Sequence, residues 1–91
     1  LADGPAARQR LDKWLWHARF GRTRTRSAAI VRAGHVRLNG VRITDPGKAV
    51  KPGDVLTIAM PGKTHVVRVL AFKESRGSSG AAQALYEVLG D

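Results

Sequence analysis

Asn39-Gly40 constrains this chain more than any other pair of residues. Before it, Val36 and Leu38 alternate with Arg37; after it, Val41 and Ile43 alternate with Arg42. The favoured two-residue hairpin turn needs positive φ at both central positions, and Asn-Gly meets that need best. The pair therefore predicts a hairpin and fixes its register. Leu38 is expected to face Val41 on the core side, and Arg37 to face Arg42 on the other. Like charges directly across a ladder are destabilising. Two readings follow: a surface shaped for a polyanion, or two arginines splayed into solvent.

The hairpin arginines end a longer basic tract. Arg8, Arg10, Lys13, Arg19, Arg22, Arg24, Arg26, Arg32, Arg37 and Arg42 face the single acid Asp12 between residues 8 and 42, a balance of +9. Residues 43–91 carry six bases and five acids (+1) and residues 1–7 carry only Asp3 (−1), so the net +9 of the chain belongs to that one stretch. Such self-repulsion is poorly tolerated unless something anionic neutralises it, and phosphate backbones are the commonest partner. The 91 residues, 43% of them hydrophobic, predict one domain with a small core. Cysteine is absent, which excludes a disulfide framework or thiolate metal site and fits a cytoplasmic location. No apolar run approaches the ~18 residues of a membrane span. Residues 1–7 are expected to form a flexible arm and residues 8–91 a single domain.

Leu11, Trp14, Leu15 and Ala18 fall at i, i+3, i+4 and i+7, one helical stripe, with Gly21 as its stop. The opposite face carries Lys13, Trp16 and Phe20. A second helix is expected over residues 24–33, with Thr23 as N-cap, Ser27, Ala28, Ile30 and Val31 on its inner face, and Gly34 closing it. After the hairpin, Asp45-Pro46-Gly47 is a turn, and Pro52-Gly53 fits the centre of a type II turn. Residues 55–60 read as a strand with Leu56, Ile58 and Met60 on one face. Residues 65–72 read as its partner, joined through Pro61-Gly62-Lys63. Residues 76–80 form a polar loop, and residues 81–89 have the composition of a short final helix. The fold class is α+β: two short N-terminal helices packed on a small, mainly antiparallel sheet, with a C-terminal appendage.

No catalytic site is legible. His17, His35 and His65 lack metal-ligand spacing and are expected as lone surface side chains. The acids Asp12, Asp45, Asp54 and Glu74 are scattered among caps, turns and a strand end, and no pair of them suggests acid–base chemistry. Gly62-Lys63-Thr64 resembles the end of a phosphate-binding loop, but Thr57 stands where that motif needs Gly, and a strand follows instead of a helix. No enzyme activity, metal, cofactor or small-molecule substrate is expected.

The basic residues are the better candidates. Arg10, Lys13 and Arg19 belong to the first helix, Arg22, Arg24, Arg26 and Arg32 to the turn and second helix, and Arg37 and Arg42 to the hairpin. Arginine forks match phosphate oxygens in pairs, and the start of the second helix near Thr23 offers backbone N–H groups to an anion. Packing the helices on the hairpin would gather these groups on one face. Trp14 belongs to the core stripe. Trp16 either stacks on a nucleobase or packs with Phe20 under the later strands.

Four ordered blocks resemble the S4 RNA-binding domain, or αL motif. They are Arg10-Leu11-Asp12-Lys13, Thr23-Arg24-Thr25-Arg26-Ser27-Ala28, Gly34-His35-Val36-Arg37-Leu38-Asn39-Gly40 and Val50-Lys51-Pro52-Gly53-Asp54. The likeness runs from about Arg10 to Ile58, with extra strands and a C-terminal segment over residues 59–91. Residues 10–16 and Ala84-Leu85-Tyr86-Glu87 are similar to the branch of 15-kilodalton heat-shock, ribosome-associated proteins. The resemblance implies RNA contacts at Arg10, Lys13, Thr23, Arg24, Arg26 and Arg32, with Asn39 shaping the turn and Lys48 and Lys51 flanking. It further implies ribosomal RNA of the large subunit as partner, with transfer RNA on stalled subunits, in rescue or recycling. That family carries a longer basic tail, from which no contacts are expected here. The rival readings are an S4 module cut from an RNA-modifying enzyme or a synthetase, and a DNA-binding winged helix. Attraction to an acidic membrane ranks last, because neither helix has a broad apolar face.

Overall fold

The computed structural model describes residues 8–72 and 84–90. In chain order its elements are β1 (Gln9–Arg10), α1 (Leu11–His17), α2 (Arg24–Arg32), β2 (Val36–Leu38), β3 (Val41–Ile43), β4 (Ala49–Val50), β5 (Val55–Met60), β6 (Lys63–Val69) and β7 (Tyr86–Gly90). Five strands form an antiparallel sheet in the order β3-β2-β5-β6-β7, while β1 and β4 pair separately. The two helices pack on one face of the larger sheet: Leu11, Trp14, Leu15 and Val31 share a core cluster with Val36, Leu56, Ile58 and Val67. This is the expected α+β architecture. The arm at residues 1–7, the loop at residues 76–80 and Glu74 lie outside the described residues.

The apolar stripe of α1 is buried from Leu11 to Ala18. Burying one such Leu side chain contributes roughly 1.5–3 kcal/mol. Trp14 sits at the centre, its indole N–H donating to the Ala71 carbonyl at 3.0 Å and its ring stacked on Phe20. No side chain caps the start of α1. Instead the Leu11 and Asp12 N–H groups donate to the carbonyls of Lys48 and Pro46 at 2.8 and 3.0 Å, so a distant loop satisfies the first turn.

The helix stops earlier than Gly21. Arg19 takes the left-handed conformation, φ 72°, and the Phe20 N–H returns to the Leu15 carbonyl. Gly21 serves a different end: a Cβ there would collide with Ser27 Oγ and sit 3.0 Å from Ser27 Cα. Its missing side chain lets the connection press against α2. Thr23 caps α2 as expected, Oγ1 accepting from the Arg26 N–H at 2.9 Å.

The hairpin follows the expected register: Val36 opposite Ile43, Arg37 opposite Arg42, Leu38 opposite Val41. Asn39 and Gly40 both have positive φ, 51° and 87°. Val41, however, is 63% exposed. It shares a face with Leu38, but β3 is the sheet edge and Val41 is not part of the core cluster there. The type II turn closes with the Asp54 N–H on the Lys51 carbonyl and Gly53 at φ 95°.

Other expectations shift. The partner of β5 begins at Lys63, because Met60 pairs directly with Lys63 around Pro61-Gly62 alone. It ends at Val69, where the chain turns to bond Leu85. The expected final helix is instead the strand β7, paired to β6 from Tyr86 to Gly90. Tyr86 is drawn there by its ring contacts with Trp14 and Phe20, which override local helical propensity. Among the described residues no helix is long and apolar enough to cross a membrane.

Candidate nucleic-acid interface

Asp12 organises the helical part of the basic tract. Its side chain is only 6% exposed. The Arg10 fork donates to it twice, Nε to Oδ1 and Nη2 to Oδ2, both at 3.1 Å. The Lys13 N–H donates to Oδ1 at 2.7 Å, and Arg24 Nη2 lies 3.9 Å from the same oxygen. One carboxylate thus ties a residue of β1 to the first residue of α2. The hydrogen bond and charge of Asp12 raise the Arg10 pKa, against a small opposing effect of desolvation, so Arg10 stays charged. A two-point grip fixes the plane of a guanidinium, which is what bidentate phosphate recognition requires.

The β1–β4 ladder extends this surface. Gln9 opposite Val50 points inward and both are buried; Arg10 opposite Ala49 points outward and both are exposed. Continuing the alternation, Arg8 and Lys51 emerge beside each other at the far end. Arg8, Lys48, Lys51 and Asn39 line a cleft of about 380 Å³. Its base is Asp54, a buried acid. Asp54 accepts from Lys51 Nζ at 2.8 Å, from the Lys51 N–H at 2.9 Å and from Asn39 Nδ2 at 3.2 Å. Burial alone would raise the Asp54 pKa, but the bonds from Lys51 and Asn39 outweigh it and hold the carboxyl below its ordinary range. Asn39 Oδ1 in turn accepts from the Val55 N–H at 2.9 Å. The Asn39 amide is therefore engaged on both sides in locking the hairpin turn to the type II turn.

The structure thus brings Arg10, Arg24, Lys48 and Lys51 together with Arg8 along one ridge. Lys13 is half-buried on α1, while Thr23, Arg26 and Arg32 are exposed along α2. Arg19 is exposed in the turn after α1. Arg32 occupies the last turn of α2, where a cation suits the helix dipole. Arg37 and Arg42 are not part of the ridge. Because Val36 and Leu38 turn inward to the helices, alternation sends Arg37 and its partner Arg42 to the opposite face of the sheet. There Arg37 donates weakly to the Gly40 carbonyl at 3.4 Å, while the end of the Arg42 side chain reaches back toward Gly34 at the end of α2.

Sequence reasoning passed over Arg8 as a site residue, and it missed the organising acids Asp12 and Asp54. The signal for Asp12 was present, because it is the lone acid inside the basic tract; Asp54 lies outside that tract and carried no such signal. The signal for Arg8 was absent, because two-residue strands carry no periodicity. Of the histidines expected at the surface, His17 is buried. His17 lies beside the Leu11–Ala18 stripe, so the buried side of α1 is wider than one stripe. Phe20 packs under the later strands, with ring centroids 5.1 Å from Tyr86 and 5.4 Å from His65. Trp16 is half-buried beside His17, 5.0 Å between centroids.

Residues 9–56 match the model of the S4 domain. The chain is 45% identical to the heat shock protein 15 homolog of Aeromonas salmonicida over 78 residues, covering 86% of this chain and 58% of that protein. It is 35% identical to the small ribosomal subunit protein uS4 of Acidithiobacillus ferrooxidans over 71 residues, 78% of this chain and 34% of that one. A solved structure of Vibrio cholerae heat shock protein 15, described as trimeric, superimposes with a TM-score of 0.83 at 34% identity, covering 89% of this chain and 81% of that one. The chain therefore spans less than two thirds of the length of the first of these relatives.

Proposed function

Because this chain belongs to the S4 domain family, in its heat shock protein 15 branch, we propose that it binds structured RNA by backbone contact and shape. One observation carries the reading: a ridge of five cations, Arg8, Arg10, Arg24, Lys48 and Lys51, of which three are gripped by two buried carboxylates. Holding those side chains in place before binding reduces the ordering cost of the complex. A-form RNA hides its major groove from side chains, so a protein reads phosphates, 2′-hydroxyls and junction geometry. Binding needs no chemical step and no cofactor.

The finer reading is ribosomal. The partner is ribosomal RNA of the large subunit, with transfer RNA present on stalled subunits, and the role is rescue or recycling. The heat-shock and ribosomal names of the relatives support its coarser part, an association with ribosomal RNA. Competition between folded ribosomal RNA and duplex DNA tests the first level. Displacement by RNA and not by equal concentrations of DNA is expected; the reverse order sinks it in favour of a winged-helix mode. Cross-linking in cells with sequencing of the bound RNA tests the second, and reads concentrated outside the large-subunit RNA would overturn it.

A further inference from the structure

A groove of about 460 Å³ opens between the outer stripe of α2 and the β5–β6 turn. Arg26, Ala29, Ile30 and Ala33 supply the helical wall, and Met60 and Pro61 the opposite one. His35 stands at the end of the groove near β5, where its carbonyl accepts from the Ala59 N–H at 2.8 Å. The size falls within the range of small-molecule sites. Its lining is apolar except for Arg26 and His35, and no acid lines it among the described residues. Arg26 stands two residues after Arg24 and so faces away from it, which puts the groove across α2 from the Asp12 clamp.

We propose that this groove receives one unpaired base of the bound RNA, with the adjoining phosphate on Arg26. The proposal rests on the RNA-binding reading and adds a specificity site to it. Charge favours this occupant over a second copy of the chain. Two copies, each with a net charge of +9, would meet at a slot that offers Arg26 no acid, whereas RNA brings the counter-charge with the base. Paired alanines one turn apart leave room for a flat ring to approach the helix, and a guanidinium and an imidazole offer planar faces at its edges. Every base has a π-face, so such a slot is tolerant of sequence but selects for an unstacked nucleotide.

The test uses the whole chain and three RNA hairpins: fully paired, with a single-adenosine bulge, and with an abasic bulge at the same place. Affinity is measured by fluorescence anisotropy for the wild type and for the double substitution Ala29→Leu with Ala33→Leu. Leucine keeps helix propensity close to that of alanine, and both sites are exposed. The wild type is expected to prefer the adenosine bulge about tenfold over both other RNAs, within the range of a single stacked base. The filled variant is expected to bind all three alike, with its salt dependence unchanged. Equal wild-type affinity for adenosine and abasic bulges, or a preference that survives filling, overturns the groove while leaving phosphate binding intact. Loss of self-association on filling, with the bulge preference retained, assigns the groove to a second copy and also overturns it. Absence of salt-dependent binding to any of the three removes the RNA reading itself.

Discussion

Exchanging Asp12 for Asn separates two accounts of the basic surface. A plain count of charge says that deleting an acid from an RNA-binding face tightens binding, since the net charge of +9 rises by one. The geometry says the reverse. Asparagine keeps an oxygen for the Lys13 N–H, which donates to Asp12 at 2.7 Å. It turns an amino group toward the Arg10 fork, which now donates to both carboxylate oxygens at 3.1 Å, and it no longer attracts Arg24, 3.9 Å away. With both guanidinium groups released, the equivalent of at least one phosphate contact is lost. The slope of log K against log salt changes by about 0.7–0.9 per contact, so at ~0.1 M salt one contact accounts for roughly five- to eightfold in affinity. Anisotropy titrations of a ribosomal RNA fragment across a salt series measure this, with thermal melting in parallel to establish that the variant is folded. The expected result is weaker binding by that factor and a shallower slope. A folded Asp12→Asn protein that binds more tightly at an unchanged slope would refute the positioning role.

Three further outcomes are expected. Replacing both Arg24 and Arg26 with Ala should weaken RNA binding and flatten the salt slope with little change in melting; unaltered affinity would remove α2 from the interface. Leu15→Ala, at a fully buried site, should cost about 2–5 kcal/mol. Since each kcal/mol shifts Tm by about 4–8 °C in a domain of this size, a fall of at least ~8 °C is expected, and an unchanged Tm would show the core stripe to be misplaced. Asp54 has a lowered pKa when folded, so the unfolded chain takes up a proton first as pH falls. The stability it contributes is complete above the ordinary Asp value of about 3.9 and is lost as pH drops through the folded pKa. An acid titration followed by Trp fluorescence should show that loss in the wild type and not in Asp54→Asn, which starts less stable; identical acid transitions would contradict the lock.

Elements with a strong local signature were legible in the sequence. The α1 stripe repeats with the helical period, and Asn39-Gly40 names its own turn and register. What escaped depends on partners far along the chain. The β1–β4 ladder joins residues about forty apart and has no period of its own. The segment from Ala81 reads as helix by composition, yet Tyr86 finds Trp14 and Phe20 and the chain pairs with β6 instead. Val41 was placed inward by parity alone, which cannot tell that an edge strand lies beyond the core. The same limit applies to the site. Charge located the basic tract, but only three dimensions place Asp12 between Arg10 and Arg24, Asp54 under Lys51 and Asn39, and Arg37 and Arg42 on the far face of the sheet.

The central claim is that five ridge cations engage phosphates together. The most direct measurement is the salt dependence of the wild-type chain on a folded ribosomal RNA fragment. Five contacts predict a slope of log K against log salt on the order of −4, falling toward about −2.5 when Arg8 and Lys51 are both replaced by Ala. A wild-type slope near −1, or a slope unmoved by the double substitution, would contradict it.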